Sequence, residues 1–276
     1  MPYIAVAEDN SGPVDLYFED HGAGATVVLV HGFLSSSRSW EKQVLALYRA
    51  GFRVVAYDRR GFGRSSKPAF GYDFDTLASD LHALMTTLEL RDVALAGFGM
   101  GAGDVARYCS RHGSKGVRSV TFVSGITPAT CPKPENPDGI DASDVDRVQR
   151  EIDADRYAFS ARFIATAYDT GEPLRHRVSD ELLARDAAVA AEASPFALRD
   201  AVHAWREDFG PDLDLIDVPT LIVHGDSDRV VPLAVTTRRL LAHVQHPTLK
   251  VIEGAPHALF WTHASSVNTA MLGFLR

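Results

Sequence analysis

The stretch Leu95-Ala-Gly97-Phe98-Gly99-Met100-Gly101-Ala102-Gly103 crowds glycines around the point where an apolar run gives way to a helix-forming one. Glycine tolerates close backbone approach and positive φ, so this reads as a very tight strand-to-helix turn. Two chemistries use such a turn. In a nucleophile elbow, G-x-S-x-G, small flanking residues let the chain reverse sharply and lift one side chain above the sheet. In the dinucleotide fingerprint, G-x-G-x-x-G/A, backbone N–H groups at a helix start hold a pyrophosphate. Gly97, Gly99 and Ala102 match the second spacing. Context favours the first. A dinucleotide site needs an acid about 20 residues on, at the end of the next strand, and Ser119-Val-Thr-Phe-Val-Ser124 holds none. That fingerprint also usually opens its domain, whereas this turn follows several strands.

Downstream residues extend the elbow reading. After Thr220–His224 comes Gly225-Asp226-Ser227-Asp228, and after Leu249–Ile252 comes Gly254-Ala-Pro-His257. An acid and then a histidine, each on a loop leaving the carboxyl end of a strand, follow the turn in the order nucleophile, acid, base. Either aspartate fits that order. An imidazole oriented by a carboxylate is poised as a general base near neutral pH. At the first strand-to-helix turn, Val30-His31-Gly32-Phe33 can supply one oxyanion-hole N–H, and the residue after the nucleophile supplies the other. The expected donors are therefore Phe33 and Met100, with His31 a structural part of its turn.

The elements that must position these residues are legible as alternation. Val14–Glu19, Thr26–Val30, Arg53–Tyr57, Val93–Phe98, Ser119–Ser124, Thr220–His224 and Leu249–Ile252 read as strands, separated by helical stretches. Such alternation predicts βαβ units and a mostly parallel sheet. Val-Val-Leu-Val at 27–30 and Val-Ala-Leu-Ala at 93–96 are apolar throughout, as strands covered on both faces should be. Trp40, Val44, Leu47 and Tyr48 recur at helical spacing before the stop at Gly51. Leu77, Leu81, Leu84, Met85 and Leu88 mark a second helix, and Val267, Ala270, Met271 and Phe274 a last one.

Residues 126–212 differ in kind. They open with Pro128, Pro132, Pro134 and Pro137, continue as helix, and carry 18 acidic against 10 basic residues. The segment reads as a helical cap inserted into a core formed by 1–125 and 213–276. Its charge reads first as a solvated surface, and second as a bias against anionic substrates. Tyr157, Phe159, Phe163, Tyr168, Phe196 and Trp205 are candidates for an apolar pocket beneath it.

With 276 residues, 46% of them apolar, the chain can bury a sizeable core. Its net charge of −8 argues against nucleic acid or an anionic membrane as a partner. Cys109 and Cys131 suit neither a disulfide framework nor a metal cluster. No basic-then-apolar leader opens the chain and no run approaches the ~20 residues of a membrane span, so a cytoplasmic protein is expected. The expected partner is a small, neutral, largely apolar substrate, with no metal or other cofactor.

Taken together, His31-Gly32-Phe33, Asp58-Arg59-Arg60-Gly61-Phe62-Gly63-Arg64-Ser65, Gly101-Ala-Gly-Asp-Val-Ala-Arg-Tyr108, Val218-Pro-Thr-Leu-Ile-Val-His-Gly-Asp226 and Gly254-Ala-Pro-His257 resemble the α/β-hydrolase superfamily. The similarity is to the cofactor-free bacterial haloperoxidase, perhydrolase and arylesterase group, and is weakest across 126–212. It implies an α/β fold with a mostly parallel eight-stranded sheet, an inserted helical cap and assembly into homo-oligomers. It also implies hydrolysis of small esters or lactones, and peracid formation from carboxylic acids and hydrogen peroxide. The catalytic triad would fall at positions 99, 228 and 257, making Asp228 rather than Asp226 the acid.

Position 99 departs from that pattern, with glycine where the family has serine. Without an Oγ there is no acyl-enzyme. Removing the serine from a comparable triad costs on the order of 10⁶ in kcat, roughly 8 kcal/mol of barrier. The oxyanion hole and binding alone can leave roughly 10³–10⁴ over water. Phe98 and Met100 are not nucleophiles, and Ser124 belongs to a different strand end. Three expectations follow: a hydrolase scaffold whose acyl transfer is lost or very low; a non-covalent His257/Asp228 acid–base enzyme (lyase, isomerase, cyclase or water-activating hydrolase); or a ligand-binding protein. The second gains from the missing CH₂OH, which frees space near the ~30 Å³ share of one water.

Overall fold

The computed structural model describes residues 2–10, 12–125, 141–171 and 174–276. Its strands are β1 (Tyr3–Asp9), β2 (Gly12–His21), β3 (Thr26–Val30), β4 (Arg53–Tyr57), β5 (Val93–Phe98), β6 (Val117–Val123), β7 (Thr220–Gly225) and β8 (Pro247–Ile252). They form one eight-stranded sheet in the order β1-β2-β4-β3-β5-β6-β7-β8. β2 pairs antiparallel with both β1 and β4, and every later pairing is parallel. Each of the seven runs read as strands overlaps one of these. The addition is β1, an edge strand on which only Ile4 is buried, and whose apolar run Tyr3-Ile-Ala-Val-Ala7 the strand reading passed over.

The helices are α1 (Glu41–Arg49), α2 (Phe74–Thr87), α3 (Gly101–His112), α4 (Ala142–Tyr168), α5 (Asp180–Ala191), α6 (Pro195–Ala204), α7 (Gly210–Leu213), α8 (Leu233–His243), α9 (Leu259–Thr262) and α10 (Ala264–Leu275). β3 and β5 are buried along their whole length, which a central parallel strand covered on both faces requires. Their carboxyl ends therefore emerge at the rim where open α/β sheets bind ligands. Of the first helical stripe, Trp40 and Leu47 are buried, while Tyr48 is 53% exposed and lies off the core face.

Between β6 and β7 the described residues form α4 to α7. Residues 126–140, with Cys131 and the four prolines, lie outside the described set. α4 breaks at Asp155 (φ −161°, ψ 92°), whose Oδ1 accepts from the N–H groups of Tyr157 and Ala158 and so starts the second half as an N-cap.

Candidate active site

The turn after β5 is as tight as its glycines suggest. A Cβ on Gly97 would stand 2.4 Å from the Gly101 carbonyl oxygen, and one on Gly101 would stand 2.5 Å from that of Val30. Neither position admits a side chain, so strand, turn and helix close to a distance that only glycine allows. Gly99, at φ +51°, occupies the left-handed conformation at the apex. A Cβ there would point at His257, 3.3 Å from Nε2. A hydroxyl one bond further out would lie within hydrogen-bond reach of that nitrogen. The apex is thus placed as a nucleophile's would be, and carries hydrogen alone.

His257 is 5% exposed, and its Nδ1–H donates to Asp228 Oδ2 at 2.8 Å. A carboxylate only accepts, so that bond puts the proton on Nδ1 and leaves the Nε2 lone pair toward Gly99. Asp228 Oδ1 accepts from the N–H groups of Val230 (2.9 Å) and Val231 (2.8 Å). Burial alone would push this carboxyl up. The His257 charge and the hydrogen bonds from His224 and His257 outweigh it, holding Asp228 well below the usual carboxylate range. Asp226 does something else: its Oδ1 accepts from Gly254 N–H at 2.8 Å, tying the loop of Asp228 to that of His257.

Sequence reasoning passed over His224. It is fully buried, its Nε2 donates to the Val231 carbonyl at 2.8 Å, and the same nitrogen lies 3.4 Å from Asp228 Oδ2. The acid thus lies between two imidazoles. Its only sequence signal is its place at the end of β7, just before Gly225 and Asp226.

On the other side of the turn, Gly32 packs against Phe98 so closely that a Cβ would meet its ring at 2.9 Å. This seats the Gly32–Phe33 loop directly over the elbow. Among the described residues, the backbone N–H groups of Phe33 and Met100 have no acceptor. Met100 caps α3, whose positive end supports negative charge at this point. His31 is fully buried, donating from Nδ1 to the Gly32 carbonyl (2.8 Å) and accepting from Arg59 N–H on Nε2 (2.9 Å). Ser124 is also fully buried, and nothing ties its hydroxyl to His257.

A cavity of about 40 Å³ beside His257 is lined by Phe33, Phe98, Phe163, Tyr168 and Phe260, among others. It has room for water or a very small ligand. A larger groove, about 740 Å³, runs past α1 and β2 and touches none of residues 33, 99, 100, 228 or 257. Chemistry, not size, picks the site. Of the six aromatics proposed for the pocket, Phe163 and Tyr168 line the small cavity, and Phe159 and Trp205 stand further out with Phe163. Tyr157 (58%) and Phe196 (52%) are exposed and line neither.

A family model described as the alpha/beta hydrolase fold matches residues 25–264. The chain is an α/β hydrolase. Within that superfamily it stands with the non-heme haloperoxidases. It is 46% identical to a putative non-heme chloroperoxidase of Synechocystis sp. over 276 residues, covering all of both chains. It is 30% identical to the bifunctional esterase/perhydrolase DCH of Acinetobacter calcoaceticus, covering 95% of this chain and 96% of that one. Among solved structures, a bromoperoxidase from Bacillus anthracis superposes with a TM-score of 0.94 at 40% identity, over 99% of this chain and 98% of that one. This α/β hydrolase thus shares its fold with a bromoperoxidase and, in sequence, is similar to haloperoxidases and an esterase/perhydrolase. Among the described residues no helix is long and apolar enough to cross a membrane.

Proposed function

We propose that this chain is a haloperoxidase- and esterase-type α/β hydrolase that binds a small acyl compound without forming an acyl-enzyme. The observation that carries this reading is the 3.3 Å between Nε2 of His257 and the Cβ position of Gly99. The base, its acid and the apex are in register, and only the attacking atom is missing. His257 then takes a proton from water or from the substrate, Asp228 stabilises the resulting imidazolium, and the Phe33 and Met100 N–H groups hold the developing oxyanion. The described part of 126–212 serves as a cap in this reading, since Phe163 and Trp205 reach Phe33 with ring centroids 5.6 and 5.3 Å away.

Gly99→Ser tests it. The added Cβ requires the His257 ring to yield by a few tenths of an ångström, at a φ that elbows impose on serine in any case. With a chromogenic acetate ester, kcat should rise by several orders of magnitude, up to the 10⁶ or so that a triad serine supplies. No gain in a folded variant overturns the reading. His257→Ala should abolish whatever turnover the unaltered chain has.

A further inference from the structure

This inference rests on the site reading above and concerns what its substrate carries. We propose that the substrate has an anionic arm, a carboxylate a few bonds from the acyl carbon. A groove of about 340 Å³ lies across the aromatic wall from His257, lined by Phe163, Trp205 and Val230 together with Arg147, Arg162 and Arg229. Phe163 lines both this groove and the small cavity beside His257. The N–H of Val230 holds Asp228 Oδ1, so the groove begins one residue's thickness from the catalytic acid.

Three arginines from separate places line it: Arg147 before the break in α4, Arg162 after it, and Arg229 on the loop that follows β7. The single carboxylate in the lining among the described residues, Glu151, is shared between Arg147 (3.2 Å) and Arg162 (2.9 Å). Arg147 also meets Asp144 at 3.0 Å, and Arg229 approaches Asp169 at 3.4 Å, both outside the lining. A guanidinium offers five N–H donors in a fork that matches a carboxylate. Among the described residues, Arg162 spends one on Glu151, and Arg229, 71% exposed, makes its long contact to Asp169 alone. Donor capacity is thus in surplus at the groove. The segment's overall acidity gives the opposite expectation, because a net charge averages over faces while a substrate meets only one.

Binding to the unaltered chain provides the test, with monomethyl glutarate against dimethyl glutarate. Binding is followed by the His257 ring and Trp205 indole resonances. The half-ester should bind about three- to tenfold tighter, the range that one or two solvent-exposed charge contacts supply. That advantage should disappear in Arg162→Gln/Arg229→Gln. It should also fade as ionic strength approaches about 1 M, where the screening length is roughly 3 Å. Arg53→Gln, which alters a remote surface pair with Asp20, should leave it intact. Equal affinity for the two esters, with both moving the His257 signals, overturns the anionic arm and spares the site. If neither ester moves them, both proposals fall.

Discussion

His31 and His257 are both buried, at 0% and 5% exposure, and both sit on loops that leave the carboxyl ends of strands beside the elbow. Their burial is alike and their bonding is opposite. Each ring nitrogen of His31 is engaged by backbone, Nδ1 by the Gly32 carbonyl and Nε2 by Arg59 N–H. Burial, reinforced by the Arg59 charge, pushes its pKa down to about 4. His257 spends only Nδ1, on the Asp228 carboxylate, and keeps Nε2 toward the apex. On the proposed reading, a buried histidine is thus a brace or a proton carrier according to what its second nitrogen meets.

The sharpest way to break the carrier is to change its acid. In the Gly99→Ser background, Asp228→Asn should lower kcat about 10⁴-fold, because an amide can donate to Nδ1 and so favours the wrong tautomer. Steady-state kinetics on the same ester read this, and a loss under tenfold would show that Asp228 does not orient His257. The brace is attacked from the far side of Arg59, whose guanidinium makes a bidentate pair with Asp104 at 2.6 and 2.9 Å, both side chains essentially inaccessible. Asp104→Ala leaves that charge buried and unpaired, which should cost about 3–5 kcal/mol of stability in urea titrations. A change below about 1 kcal/mol would show that the pair contributes nothing net.

Acid should then reveal the brace. The pKa of His31 is lower in the folded chain than the ~6.5 of an unfolded one, so its contribution is complete above that pH and is lost as pH falls toward 4. The loss should reach about 3 kcal/mol, at 1.36 kcal/mol per pKa unit. Asp228, shifted down from an unfolded value near 3.9, keeps its contribution through that window and loses it only at lower pH. Burial holds Asp104 up at about 6 and raises Asp80 and Glu207, and these carboxyls gain stability as pH falls, opposing His31. The test is therefore a difference: the stability gap between the unaltered chain and His31→Asn, from urea midpoints at pH 7, 5.5 and 4, should narrow toward pH 4. His112 and His263 are shifted the same way but are partly exposed, and leave a smaller residual slope.

Much of this arrangement is legible in the sequence because it is local. Apolar runs reveal covered strands, and Gly97, Gly99 and Gly101 reveal a close turn through the absence of side chains. β1 is within reach, since Tyr3-Ile-Ala-Val-Ala7 is an apolar run, and Tyr48 misleads because helical periodicity does not say how wide the buried stripe is. Arg147, Arg162 and Arg229 are unreadable as a group, because two lie on either side of the break in α4 and the third on the loop after β7.

The smallest effect concerns the choice between two aspartates, which order along the chain leaves open. Asp226 and Asp228 are two residues apart on one loop, yet only Asp228 reaches the imidazole. Asp226 is exposed and holds Gly254 N–H, so it braces the histidine's loop without touching its ring. Asp226→Ala should cost about 0.5–1.5 kcal/mol of stability, the net worth of one such hydrogen bond. In the Gly99→Ser background it should change kcat by less than tenfold, with the pH profile unmoved. A pH profile displaced by Asp226→Ala as far as by Asp228→Asn would mean that the carboxylates share the task, and the contrast between bracing and carrying would not hold on this loop.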